Sequence, residues 1–106
     1  MPAPTETAIR IMAERGVSVC ECCGQAPAEE AHHCLYRRDT KNKLAGKLLN
    51  DTYNLQLVCR QCHASRARTH DNKIRFWRLQ VGRYGRDVMT AWHEQLPYKI
   101  KETCYI

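Results

Sequence analysis

Apolar positions recur at helical spacing in three stretches of the chain and at alternate positions in a fourth. In residues 5–15, TETAIRIMAER, Ile9, Met12 and Ala13 share the i, i+3, i+4 face of a helix. Thr5 suits its N-cap, Glu6 its first turn, and Gly16 stands just past its end. Val17 to Cys23 reads as a short strand turning at Gly24, and EEAHHCLYR begins as a strand. Residues 37–52, RRDTKNKLAGKLLNDT, are polar and basic, and predict a long loop with a helical turn at Leu44 to Leu49. In YNLQLVC, Leu55 and Leu57 alternate against Asn54 and Gln56, the period of a strand. A helix is expected from about Gln61 to Arg68.

Asp71 or Asn72 can cap a further helix, with Ile74, Trp77 and Val81 on one face and a break at Gly82 to Gly85. RDVMTAWHEQL predicts a last amphipathic helix with Val88, Met89, Trp92 and Leu96 inward, stopped by Pro97. The tail YKIKETCYI carries no assigned element. No repeat or linker interrupts this order, so residues 1–106 read as one α+β domain. Its core runs over about 17–70, with flanking helices over about 5–15 and 72–96.

Composition changes this picture in two ways. The chain has seven cysteines, and 106 residues bury only a modest core, so a metal or a disulfide staple is plausible. No basic leading segment runs into an apolar one, and no apolar run is long enough to span a membrane. The expected setting is therefore the cytoplasm (a host cytoplasm if phage-encoded), where thiols stay reduced and serve as metal ligands before disulfides. The net charge of +6 is one-sided. Residues 1–59 carry seven basic and seven acidic residues, whereas residues 60–106 carry ten basic and four acidic. Such an excess on one half is the footprint of a polyanion-binding face, against simple solubility as the alternative.

Cys20-x-x-Cys23 and Cys59-x-x-Cys62 form two equally spaced knuckles, 35 residues apart. Two such pairs signal a four-thiolate tetrahedral zinc site, which has no open coordination position and is therefore structural. Four merely reduced thiols are the plain alternative. A redox pair is disfavoured because no βαβ pattern surrounds either knuckle. Cys22 could stand in for Cys23, though the spacing and Gly24 favour Cys23. Cys34 and Cys104 read as inert small hydrophobes.

Within and beyond the knuckles lie His32, His33, Asn54 and His63. The pattern AHHC…YNLQLVCRQCH resembles the HNH endonuclease family over about residues 20–66. The resemblance implies a ββα-metal core in which a hairpin and a helix clasp one divalent ion, with the zinc site fastening hairpin to helix. By that resemblance His33 is the general base and His32 the ligand before it. Asn54 ties down the loop between the strands, and His63 is the final ligand on the helix. It further implies hydrolysis of DNA to 5′-phosphate and 3′-hydroxyl ends, by nicking or double-strand cutting. The compact size looks like phage-type members, with phage protein partners and a monomeric or homodimeric state left open.

The residue types suit that chemistry on their own. Phosphodiester hydrolysis needs an imidazole to take a proton from water and a cation at the phosphate. Neighbours on a strand face opposite ways, which suits one ligand and one base. His32 stands where Asp is commoner, so the ion, among Mg²⁺, Mn²⁺, Ni²⁺ and Zn²⁺, shifts from Mg²⁺ toward the softer ones. Many relatives carry another histidine where this chain has Ala67. His70 is a candidate further ligand if the helix of His63 lasts, and His93 reads as surface. Arg37, Arg38, Lys41, Lys43, Arg66 and Arg68 are the candidate DNA contacts, through phosphate rather than base edges. Lys47, Arg60, Arg75, Arg78, Arg83 and Arg86 add to the basic count. Two other readings remain: a non-catalytic zinc-containing DNA-binding module and a junction-resolving nuclease.

Overall fold

A computed structural model describes residues 4–36 and 45–96. Its elements run α1 (Glu6–Arg15), β1 (Glu30–His33), α2 (Ala45–Leu49), β2 (Leu55–Val58), α3 (Arg60–Ala64), α4 (His70–Tyr84) and α5 (Arg86–Glu94). Among the described residues this is an α+β chain with one two-stranded antiparallel sheet and five helices. The expected tail and the loop over 37–44 lie outside the described residues.

Local chemistry sets the helix ends. The Thr5 hydroxyl accepts the Ala8 N–H at 3.2 Å, and Gly16, left-handed at φ 67°, donates to the Met12 carbonyl. Thr69, rather than the expected Asp71 or Asn72, caps α4 by accepting the Asn72 N–H at 3.2 Å. The break expected over Gly82 to Gly85 comes at Gly85, after α4 has run on to Tyr84. Val17 to Cys23 forms no strand. It makes one bridge, Val19 to Pro27, and then turns, because the Cys20 carbonyl accepts the Gly24 N–H and Cys20 donates to Ala26.

β1 and β2 pair in the register Glu30↔Val58, Ala31↔Leu57, His32↔Gln56 and His33↔Leu55. All four residues of β2 are buried. Leu55 and Leu57 pack on Ala8, Ile11 and Ala28, while Val58 joins the cysteine cluster on the other side. The alternation in this strand therefore separates two buried faces rather than a dry face from a wet one. Two helix faces differ from expectation. In α1 it is Ala8 and Ile11 that are buried while Ile9 is 52% exposed, and in α5 Val88 is 42% exposed. His93 is buried against Trp77, with ring centres 5.9 Å apart, and is not a surface residue. The largest apolar cluster holds Leu35, Tyr36, Phe76, Trp77, Met89 and Trp92, closing α4 and α5 over the segment after β1.

A buried ion pair joins distant parts of this frame. Glu21, beside the first knuckle, meets Arg15 of α1 at 2.6 Å and Arg83 of α4 at 2.5 Å, and accepts the Leu57 N–H at 2.9 Å. Arg15 also donates to the Thr52 carbonyl. Removing Glu21 strands the charge of Arg15, whose side chain is fully buried. Glu21→Ala is expected to cost about 3–5 kcal/mol, read as a drop in melting temperature; an unchanged melting point would refute the keystone role. Arg83 is thereby committed to structure rather than to the basic face.

Candidate functional site

The two knuckles converge. Cys20 and Cys23 bracket the first turn, while Cys59 caps α3 and Cys62 lies within it. In each knuckle the thiol of the first cysteine accepts the N–H of the second, at 3.4 Å. The four sulfurs all lie within 4.8 Å of one another. A tetrahedral site with bonds of about 2.3 Å has sulfur–sulfur edges of about 3.8 Å, so a small contraction closes it. This cluster can hold a metal ion such as zinc. Cys23, not Cys22, belongs to it; Cys22 is buried nearby, and its carbonyl accepts from Arg75 at 3.3 Å. Backbone N–H groups of Ala26 and Gln25 lower the Cys23 thiol to about 6. Burial raises the Cys20 and Cys62 thiols. Cys34 is buried in the apolar core, and Cys104 lies outside the described residues.

The hairpin and α3 bring His32 and His63 together. Their ring centres are 5.0 Å apart in an edge-to-face arrangement. His32 is 5% exposed, and its Nε2–H donates to the Ala67 carbonyl at 3.1 Å. His63 Nδ1 lies 2.9 Å from Glu30 Oε1. Glu30 shares the His32 face of β1, being two residues away, and its carboxylate lies 3.9 Å from Arg60. Glu30, Arg60, His63, Ala64 and Arg68 line a cleft of about 230 Å³.

His33 faces the other way from His32, at the end of β1, where its Nε2 lies 3.1 Å from Asn50 Oδ1. Asn54 is fully buried and uses both ends of its amide. Its Oδ1 accepts from the Leu35 and Tyr36 N–H groups at 3.0 and 2.6 Å, and its Nδ2 donates to the Tyr36 and Leu49 carbonyls, both at 2.8 Å. It thus joins the segment leaving β1 to the end of α2, one residue before Asn50. Asn54→Ala would leave these groups without partners in a dry place, at about 1–3 kcal/mol for each. Thermal or urea melting should register a loss of about 3–5 kcal/mol; a loss below about 1 kcal/mol would mean the clasp contributes little.

The helix expected to Arg68 stops at Ala64. The Cys62 carbonyl accepts N–H groups from Ser65, Arg66 and Ala67 in turn, so the chain folds back over the knuckle. His70 therefore opens the next helix, exposed, and shares no helical face with His63. Ala67 is fully buried, and what it brings to His32 is its carbonyl. Arg66 and Arg68 are exposed, whereas Arg37, Arg38, Lys41 and Lys43 lie outside the described residues. Sequence reasoning missed Glu30, Asn50, Gln56 and Asn72. Only Glu30 had a local signal, its two-residue spacing from His32 along a strand.

Among the described residues no helix is long and apolar enough to cross a membrane. Comparison of the chain with family models, with curated proteins and with solved structures finds no match.

Proposed function

We propose that this chain is a metal-dependent endonuclease of the HNH type, hydrolysing DNA phosphodiester bonds. The observation that carries the reading is the approach of His32 and His63 to 5.0 Å across a hairpin and helix, beside the arginine-lined cleft. The antiparallel pair β1–β2 followed directly by α3 is the order of elements a ββα-metal core requires. In this reading zinc at Cys20, Cys23, Cys59 and Cys62 is structural and ties the first turn to the start of α3.

His32 and His63 would hold a second divalent ion, drawn from Mg²⁺, Mn²⁺, Ni²⁺ or Zn²⁺. When bound, that ion stabilises charge on the phosphate and on the departing 3′ oxygen. His33 would take the proton of the attacking water, and the departing 3′ oxygen would take a proton from solvent, giving 5′-phosphate and 3′-hydroxyl ends. Asn54 holds the segment that carries this geometry. Arg60 and Arg68 bracket the phosphate at the cleft, since a guanidinium fork bonds two oxygens at once.

Plasmid, linear and junction DNA, each incubated with the four ions, test the reading on gels. Cleavage of any of them supports it and separates a general nuclease from a junction resolvase. Absence of cutting throughout favours a zinc-containing DNA-binding module.

Binding follows from charge. Lys47, Arg66, Arg68, Arg75, Arg78 and Arg86 are exposed. If these meet phosphates, released counterions drive affinity, which should fall roughly 10³-fold between about 50 and 200 mM salt on unrelated duplexes. Salt-independent binding would refute the electrostatic footprint.

A further inference from the structure

The strand pairing sets Gln56 directly opposite His32, and Gln56 meets Asn72 of α4. Their amides are reciprocally bonded. Gln56 Nε2 donates to Asn72 Oδ1 at 2.9 Å, and Asn72 Nδ2 donates to Gln56 Oε1 at 2.7 Å. The second Nδ2 proton goes to the Ala67 carbonyl at 2.8 Å. That same carbonyl accepts His32 Nε2–H at 3.1 Å. His32, Gln56, Ala67 and Asn72 are all at most 5% exposed.

For packing alone, an apolar pair would serve as well, with no polar groups to desolvate. What the amide pair adds is a carbonyl oxygen held in one place. A carbonyl only accepts, so His32 presents its N–H at Nε2, and in the neutral ring the lone pair lies on Nδ1. Histidines that bind metal characteristically have the opposite N–H held by a carbonyl or carboxylate, which fixes both tautomer and ring orientation. His63 has the matching arrangement with the ring reversed. Its Nδ1–H is held by Glu30, so in the neutral ring its lone pair lies on Nε2.

We propose that Asn72, locked by Gln56, is a positioning residue for the second ion: through the Ala67 carbonyl it holds His32 as the Nε2–H tautomer and presents Nδ1 to the metal. This rests on the reading above that an ion is shared by His32 and His63. Asn72 touches neither the ion nor a substrate. It acts through the Ala67 carbonyl alone.

The test uses the full chain with zinc in its cysteine site and ¹⁵N-labelled histidine. Long-range ¹H–¹⁵N spectra read the His32 tautomer without any second ion. ¹¹³Cd²⁺ added afterwards reveals the ligating nitrogen by scalar coupling. The expected results are Nε2–H and coupling to Nδ1; an Nδ1–H ring, or coupling to Nε2, overturns the proposal.

Asn72→Ala should then mix the His32 tautomers and weaken Mn²⁺ binding by about 10–100-fold, with zinc content unchanged. The double replacement Gln56→Leu with Asn72→Leu keeps the packing if Asn72→Ala does not fold, and the same loss is expected. Folded variants that bind Mn²⁺ as the parent does, while His63→Ala does not, overturn the positioning role and leave the ion site standing. A parent that binds no Mn²⁺ overturns the ion site itself, and the inference with it.

Discussion

Stripping the metal from the four-cysteine site is expected to unfold the domain. Cys20, Cys59 and Cys62 are buried and form, with Cys22, Val58 and Ala67, one of three core clusters among the described residues. Metal binding at such sites is worth about 10–16 kcal/mol in apparent free energy near neutral pH. Whole domains are stable by only about 5–15 kcal/mol, so the ion outweighs the remaining margin. Acid should act in the same direction. Protons compete with the metal for the four thiolates, so falling pH releases the ion and its share of the stability. Cys20 and Cys62, raised by burial, hold their protons more tightly still once the metal is gone. Zinc content and circular dichroism melts, with and without a strong chelator and across pH 5–8, would check this. A metal-free sample that melts where the loaded protein does would sink it.

His33→Ala is expected to lower DNA cleavage by about 10²–10⁴-fold while folding, zinc content and DNA affinity stay near those of the parent. The fold should tolerate the change because His33 is only half-buried, at the end of a strand, with its ring on Asn50. His63→Ala should also inactivate, but for another reason: it removes a ligand, so the second ion is lost from the protein. The two variants thus separate loss of a base from loss of a metal. Supercoiled plasmid nicking over time, beside metal counts, makes the comparison. A His33→Ala protein that nicks at the parental rate would show the mechanism to be wrong, whatever the fold.

Features set within a few residues were legible in the chain itself. The knuckle spacing predicted which four cysteines meet, because two residues between thiols is a local geometry that any surrounding fold preserves. The caps at Thr5 and Gly16 and the strand at Leu55 to Val58 were equally local, as was the α+β mixture. Charge placement was legible too, although part of it was spent differently. Arg83 is engaged by buried Glu21, a partner 62 positions away.

What the sequence could not disclose is which second surface each element meets. Periodicity places Ile9 and Val88 inward, yet among the described residues both stay exposed, at 52% and 42%. Gln56 and Asn72 look like ordinary polar residues until β2 is enclosed on both faces and their amides bond to each other, with Asn72 also reaching the Ala67 carbonyl and the Cys34 thiol. The early end of α3 follows from the Cys62 carbonyl collecting three N–H groups, which separated His70 from His63. His93 went inside because Trp77, on another helix, was there to receive it. By itself the sequence determined the ends of α1 and the spacing of the four cysteines, since those interactions close within a few residues. Only the tertiary structure decided burial and side-chain partners, because a hydrogen bond between residues 16 or 62 positions apart has no energy until the whole chain has folded around it.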